Sequence, residues 1–386
     1  MIPYGRQEVT QDDIDAVVAV LRSDYITQGQ QVPAFERAVA RYANARYAVA
    51  LNSATSALHC ACMALEVGNG DRVWTSPITF VASANCALYC GATVDFVDID
   101  PGTYNISVAA LAQKLELAEA AGTLPKVVIV VHLAGQSCPV AAIHDLATRY
   151  GFRIIEDASH AIGARYRDEP VGNCRYSDIV VFSFHPVKII TTGEGGMALT
   201  NDAALAGRLS RGRSHGITSD PALMQPRPEP EIWNYQQIAL GFNYRMTDFQ
   251  AALGLSQLQR LDAFVARRNE LALRYDQLLE SLPLSRQQRH ADALSSFHLY
   301  LIRLDLSAVK RTRRQVYDAL LDQGIGVNIH YIPVYRQPYF EQFGFHAGYC
   351  PEAERYYAEV LTIPLYPGLS EAEQDQVVAT LSTLLT

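Results

Sequence analysis

Short apolar runs that alternate with helix-patterned stretches constrain this chain more than any other feature. Runs at 47–51, 72–75, 94–97, 127–133, 153–156, 179–183 and 196–200 read as strands. Residues 10–22, with Ile14, Val17, Val18 and Leu21, carry a helical period, as do residues 35–42. This alternation predicts a mostly parallel sheet covered by helices on both faces. One long helix is expected from Thr247 to about Leu282, carrying Leu253, Leu255, Leu258, Leu261 and Phe264. Beyond it, Leu299 to Leu304 and Gly326 to His330 read as strands of a smaller α/β unit. The chain is thus expected to divide into a large domain, 1–246, and a linking helix with a small C-terminal domain, 247–386. Pro221 to Pro230 is too rich in proline for helix or central strand, and predicts an exposed loop.

With 386 residues, 49% of them hydrophobic, the chain can bury a core in each unit. A formal net charge of −8 gives no general attraction to nucleic acid or to an anionic membrane, and neither is expected as a partner. No apolar stretch reaches the roughly 18 residues of a membrane span. The opening residues, Met-Ile-Pro-Tyr-Gly-Arg, lack the basic-then-apolar order of a signal peptide. The cysteines, Cys60, Cys62, Cys86, Cys90, Cys138, Cys174 and Cys350, are odd in number and follow no framework. Reduced, buried thiols in a cytoplasmic protein are therefore expected. Cys86 and Cys90 stand one helical turn apart, but with no second pair they are expected to pack rather than to hold metal.

Lys188 ends the run Ile179-Val180-Val181-Phe182-Ser183-Phe184-His185-Pro186-Val187-Lys188, which starts as a buried strand and becomes a turn. An amine carried from a strand end into the glycine-rich segment Gly193 to Gly196 can lose solvent, which lowers its pKa from about 10.4. A neutral lysine attacks carbonyls, and an aldehyde cofactor is its natural partner. The alternative is a lysine that merely extends its ammonium from the core to water. Asp157 ends a second strand-like run, Arg153-Ile154-Ile155-Glu156-Asp157, and in an open parallel sheet ligands sit beyond such strand ends. Pyridoxal phosphate needs a carboxylate at its ring nitrogen and a lysine at its aldehyde. A helix-capping carboxylate is the alternative for Asp157. Ser53, Ala54 and Thr55, between the strand 47–51 and an Ala/Leu-rich helix, form a candidate phosphate site at a helix N-terminus, or an ordinary cap. Ser183 places a further hydroxyl near the same phosphate. Phe80 is a candidate to lie against the cofactor ring, or a core aromatic. His160 is a candidate to bond the cofactor edge or to tune Asp157, against a packing role. His185 and Glu194 stay undecided.

Taken in order, these pieces resemble the DegT/StrS family of sugar-nucleotide aminotransferases. The pieces are Thr27-Gln28-Gly29, Asn52-Ser53-Ala54-Thr55-Ser56-Ala57-Leu58, Pro77-Ile78-Thr79-Phe80-Val81-Ala82-Ser83-Ala84-Asn85, Glu156-Asp157-Ala158-Ser159-His160-Ala161-Ile162-Gly163, Ser183-Phe184-His185-Pro186-Val187-Lys188, Gly193-Glu194-Gly195-Gly196, Arg213-Ser214-His215-Gly216 and Gly241-Phe242-Asn243-Tyr244-Arg245-Met246. The resemblance implies the type I, aspartate-aminotransferase-like fold of pyridoxal-phosphate-dependent transferases. It runs from about residue 4 to the C-terminus. Ser23-Asp24-Tyr25-Ile26-Thr27-Gln28-Gly29 and Gly326-Val327-Asn328-Ile329-His330-Tyr331-Ile332-Pro333-Val334-Tyr335 are similar to the members of the PseC type. Those aminate C4 of a UDP-linked 4-keto-6-deoxy-N-acetylhexosamine on the way to pseudaminic acid.

The resemblance implies that Tyr4, Asp24, Tyr25, Ile26, Thr27, Ala54, Ser183, Asn243, Asn328, Ile329, His330 and Tyr331 line the cofactor and substrate site. It also implies a homodimer in which Asn243 reaches the neighbouring subunit's site. L-glutamate is the implied amino donor, in a ping-pong exchange that releases 2-oxoglutarate and passes the amine to the sugar ketone. Relatives that are dehydratases carry histidine where this chain has Lys188. A non-catalytic regulator and an aminotransferase for another keto sugar are the remaining alternatives. Because a nucleotide sugar is an anion, Arg213, Arg245, His215 and His330 are candidates for local positive charge.

Overall fold

The computed structural model describes residues 1–226 and 233–386. Its first seven principal strands are β1 (Tyr47–Leu51), β2 (Arg72–Thr75), β3 (Thr93–Phe96), β4 (Val127–Val131), β5 (Arg153–Asp157), β6 (Ile179–Ser183) and β7 (Gly196–Thr200). They form one sheet in the order β1-β7-β6-β5-β4-β2-β3. β2, β3, β4, β5 and β6 pair in parallel, and β7 runs antiparallel to both of its neighbours. The sheet is mostly parallel, as the alternation predicts.

Every residue of β4 and β6 is buried, because helices cover both faces. Alternate side chains enter different cores. Val127, Ile129, Ile155, Ile179 and Val181 pack with α3 (Ala54–Ala64) and α4 (Ala82–Tyr89), preceded in the chain by α1 (Gln11–Leu21) and α2 (Gln31–Ala43). On the opposite face Val128, Val130 and Ile154 meet α5 (Val108–Ala121) and α6 (Val140–Tyr150). Beside them Val180 and Phe182 meet Phe35 and Val39 of α2. Burying a ring such as Phe182 contributes roughly 1.5–3 kcal/mol. After β7 the chain forms α7 (Ala203–Arg213).

Where one long helix is expected, there are two, α8 (Asp248–Leu258) and α9 (Leu261–Leu278). The break falls at Arg260, whose guanidinium donates to Asp13 Oδ2 at 2.7 Å and to Thr10 Oγ1 at 2.8 Å. Asp13 is fully buried and also accepts from Ser256 and Gln257, so the turn is pinned to α1.

The C-terminal part holds an antiparallel sheet of β8 (Leu284–Arg286), β9 (Tyr300–Leu304) and β10 (Val360–Ile363). Leu271 and Tyr275 of α9 pack on it with Val377 and Leu381 of the last helix, Glu371–Leu385. Leu299 to Leu304 is thus largely strand. Gly326 to His330 is not: it makes only an isolated bridge, Asn328 to Thr362, next to that of Ile2 with Ile325. The side chain of Asn328 accepts the Ile329 N–H at 2.8 Å and so competes with a ladder. The apolar run 127–133 also stops short as a strand, because Ala134 turns back with φ of 61° and Asn105 takes the Leu133 N–H. In the proline-rich stretch, Pro221 to Pro226 is turn and loop with mostly exposed side chains, and 227–232 lies outside the described residues.

Candidate active site

The sheet register gathers the chemistry at one edge. Asp157 is opposite both Val131 and Val181, Ser183 is opposite Gly196, and Gly196 is opposite Leu51. The carboxyl ends of β1, β4, β5 and β6 therefore lie together, which is where an open α/β sheet presents ligands. A cavity of about 460 Å³ opens there. Lys188, Asp157, Ser53, Ala54, Thr55, Phe80, His160, Ser183, Tyr4, His330 and Tyr331 all line it.

Lys188 lies beyond β6, in a turn closed by its N–H donating to the His185 carbonyl at 2.9 Å. The Phe184 carbonyl accepts from Thr192 N at 3.0 Å and from Thr191 Oγ1 at 2.9 Å, which fixes the loop around it. Burial brings the Lys188 amine down to about 8, and the negative Asp157 opposes that shift only in part. The amine lines the cavity, where a carbonyl can reach it. The attacking species is the neutral amine, whose population rises with pH until its pKa is passed. The rate at which the apoprotein captures pyridoxal phosphate is expected to rise nearly tenfold per unit below about pH 8, and to level off above it. Stopped-flow absorbance across pH 6 to 10 checks this; a rise continuing to pH 10 contradicts it.

Asp157 is 5% exposed. Its Oδ2 accepts from Ser83 Oγ at 2.6 Å, and its Oδ1 from Ser159 N at 3.1 Å and Ser159 Oγ at 2.5 Å. Ser83 gives its proton to Asp157, so in the 2.7 Å contact with Thr79 it is Thr79 that donates. A carboxylate has about four lone-pair sites, and three are used here. The fourth is left for an N–H in the cavity, such as the protonated ring nitrogen of pyridoxal phosphate. Sequence reasoning missed Ser159 and Ser83 as the groups that hold Asp157. The Asp-x-Ser spacing is an Asx-turn signal for Ser159. Ser83 had no local signal, because it comes from α4.

At the other end of the cavity α3 opens. Ser53 is its N-cap, accepting Ser56 N at 3.1 Å, while Ser56 Oγ donates to Asn52 Oδ1 at 2.6 Å. Ser53 thus has the capping role that was the alternative for it. The first helical bond is Ala57 N to the Ser53 carbonyl, so the N–H groups of Ala54 and Thr55 precede the ladder. With the helix dipole they form a place for an anion such as the cofactor phosphate. Gly196 makes the place accessible: a Cβ there would meet Ala54 N and lie 2.5 Å from the Ser53 carbonyl. Amine, carboxylate and anion cradle together fit pyridoxal phosphate.

His160 makes no bond to Asp157. Its Nδ1 accepts from Ala134 N at 3.2 Å, and its Nε2 is 3.1 Å from Tyr331 Oη. Burial, then the charge of Lys188, keeps this imidazole neutral. A neutral ring that accepts at Nδ1 donates at Nε2, so Tyr331 Oη accepts and its own proton is free to point into the cavity. His330 bonds Thr362 Oγ1 at 2.8 Å, and burial with the Lys188 charge pushes it down to about 3. It is therefore not a source of positive charge at neutral pH. Arg213 is not free either, since it meets Glu36 Oε1 at 2.5 Å and the Ala50 carbonyl at 2.8 Å. Phe80 is 59% exposed at the cavity, not a core aromatic.

The other expected residues lie off this cavity. Asp24, Tyr25, Ile26 and Thr27 form an exposed stretch, and Asn243 is exposed in a bridge to Ser214. Asn328 and Ile329 are half-buried, beside His330 but outside the lining. Arg245 and His215 are also outside it, whereas His185 and Glu194 line it. Among the described residues no group of three or more acidic, histidine or cysteine side chains is placed to hold a metal ion. No helix among them is long and apolar enough to cross a membrane.

Residues 7–382 match the DegT/DnrJ/EryC1/StrS aminotransferase family. The spore coat polysaccharide biosynthesis protein SpsC of Bacillus subtilis is 38% identical, with 98% of this chain and 95% of that protein covered. A UDP-4-amino-4,6-dideoxy-N-acetyl-beta-L-altrosamine transaminase of Campylobacter jejuni is 36% identical, over 100% of this chain and 98% of that one. In structure, Helicobacter pylori PseC, an aminotransferase involved in the biosynthesis of pseudoaminic acid, superposes with a TM-score of 0.90. The identity there is 29%, and 100% of this chain and 99% of that one are covered. The sugar aminotransferase fold that the sequence predicts is therefore present. The pyridoxal-phosphate form of Spr1654 from Streptococcus pneumoniae superposes with a TM-score of 0.88 at 29% identity, over 99% of this chain and 98% of that one. The chain belongs to the DegT/DnrJ/EryC1/StrS family of pyridoxal-phosphate-dependent sugar aminotransferases.

Proposed function

We propose that this enzyme moves the amino group of L-glutamate to C4 of a UDP-linked 4-keto-6-deoxy-N-acetylhexosamine, giving UDP-4-amino-4,6-dideoxy-N-acetyl-beta-L-altrosamine. The observation that carries this reading is the full-length likeness to the Campylobacter transaminase, supported by the close superposition on Helicobacter PseC. Pyridoxal phosphate held here would supply an electron sink beside the reacting Cα. Lys188 would hold the aldehyde of the cofactor, and its Nζ, when free, is the base placed to take up and give back a proton in the cavity. Asp157 keeps the ring nitrogen protonated, and Ser83 and Ser159 hold that carboxylate in place. Ala54 and Thr55 at the start of α3, with Ser183, would hold the phosphate, and Phe80, which also lines the cavity, would bound the ring's site. Residues 1–246 carry this machinery and 247–386 close over it with His330 and Tyr331.

Asp24 to Thr27, Asn328 and Ile329 meet the nucleotide sugar outside the cavity, and a second copy of the chain brings Asn243 to complete the site. The 38% identity to SpsC favours one other reading, an aminotransferase for a different keto sugar nucleotide. Incubation with L-glutamate and a panel of keto sugar nucleotides, followed by product NMR, separates the two. The expected product is the 4-amino-4,6-dideoxy-altrosamine. Turnover of only another sugar or only a 3-ketone overturns the assignment.

A further inference from the structure

Two buried carboxylates hold the start of the chain against α8. Asp13 of α1 is one, through Ser256, Gln257 and Arg260. The other is Asp248, the first residue of α8, which is fully buried and lies outside the cavity lining. Its Oδ1 accepts from Gln31 N at 2.7 Å and from Val32 N at 3.2 Å, and its Oδ2 from Gly29 N at 2.7 Å. Its own N–H donates to the Ile26 carbonyl at 3.0 Å. Burying a carboxylate is costly unless it is bonded, and three N–H groups meet this one.

The Oδ1 bonds cap α2. Gln30, at the N-cap of that helix, supplies no capping side chain, and Pro33 has no N–H, so Gln31 and Val32 are the donors left over in the first turn. A cap needs only Oδ1. The bonds to Gly29 and Ile26 serve the exposed segment between α1 and α2 instead. That segment turns back at Gln28, with φ of 56°. A Cβ on Gly29 would lie 2.9 Å from Tyr25 Cβ and 3.2 Å from Asp248 Oδ1. Among the described residues, no other hydrogen bond ties 24–29 to any part of the chain beyond Ser23. The same turn of α8 reaches the cavity wall. Thr247 and Gln250 close its capping box, and Gln250 Nε2 donates at 2.9 Å to the carbonyl of Glu194, which lines the cavity.

On the reading that Asp24 to Thr27 meet the nucleotide sugar, we propose that Asp248 is a positioning residue for the acceptor half of the reaction, its carboxylate fixing that segment beside the cavity. An amino acid that reacts at Lys188 lies within the cavity and makes no use of the segment, so the two halves of the reaction separate.

The test is Asp248→Asn in the holoenzyme. Asparagine has one acceptor oxygen. Set against Gln31 and Val32, that oxygen keeps the cap of α2, and the amide nitrogen then meets the Gly29 N–H as donor against donor. Hydrogen exchange in peptides spanning 23–30 is expected to quicken about tenfold while α2 stays protected. The KM for the sugar nucleotide should rise about ten- to a hundredfold, the range of one lost hydrogen bond to a charged group. The rate at which L-glutamate alone converts the cofactor's absorbance should stay within about twofold of wild type. The acceptor is whichever keto sugar nucleotide the wild type turns over, so a different sugar leaves the comparison intact. Unchanged exchange overturns the role of Asp248 and leaves the reading of Asp24 to Thr27 standing. Faster exchange with an unchanged acceptor KM removes the segment from sugar binding and overturns both. A glutamate half-reaction slowed as much as the acceptor half makes Asp248 a general support and also overturns the proposal. Should that variant fold poorly, Gly29→Ala pushes the segment off the same carboxylate from the other side. It should give the same selective rise in KM, and equal loss in both halves contradicts the proposal.

Discussion

Replacing Lys188 by alanine is expected to abolish amino transfer and the visible absorbance of the bound cofactor while the fold stays intact. The loss follows from geometry. Among the residues lining the cavity, Lys188 carries the lone amine, and burial makes that amine neutral in a useful fraction near pH 7. Its acid–base share alone is worth about 10²–10⁴ in rate, and loss of the covalent anchor adds to it. The fold should persist because the turn at 185–193 is held by main-chain and threonine hydrogen bonds, not by the lysine side chain. Steady-state assays with circular dichroism of the variant check both halves. Turnover within tenfold of wild type contradicts the assignment.

Replacing Asp157 by asparagine is expected to lower the rate about as strongly as loss of a general acid–base group, 10²–10⁴-fold, with little change in thermal stability. Asparagine keeps the shape of the side chain; its one carbonyl oxygen can accept from Ser159 N and Oγ, while its amide nitrogen faces Ser83, whose hydroxyl can turn to accept from it. It offers no negative charge to hold a proton on the ring nitrogen. Alanine is the poorer probe, because it strands the buried Ser83 hydroxyl at a cost of about 1–3 kcal/mol. A kcat for the asparagine variant near that of wild type would assign Asp157 to scaffolding. Measuring kcat together with Tm separates the two roles.

The strands of the large sheet were legible because β4 and β6 are buried on both faces, which leaves unbroken runs of apolar residues. Lys188 and Asp157 were legible for the same reason, as polar residues where such runs end. The break at Arg260 was not, since its cause is a contact with Asp13 across the fold. The false strand at 326–330 has the right residues for a ladder, but Asn328 bonds its own neighbour instead. The open helix start at 53–55 was half legible: the helix start was plain, but which hydroxyl caps it and which N–H groups stay open depends on Ser56 and Asn52. The neutrality of His330 comes from burial and then from the charge of Lys188, which a distant segment brings to the same cavity.

Borohydride reduction of the holoenzyme, followed by peptide mapping, tests the central claim most directly. Reduction fixes the cofactor to whichever amine holds its aldehyde. The expected result is a single pyridoxyl-tagged peptide that contains Lys188 and is missing in Lys188→Ala. A tag on another lysine, or no tag at all, contradicts the account.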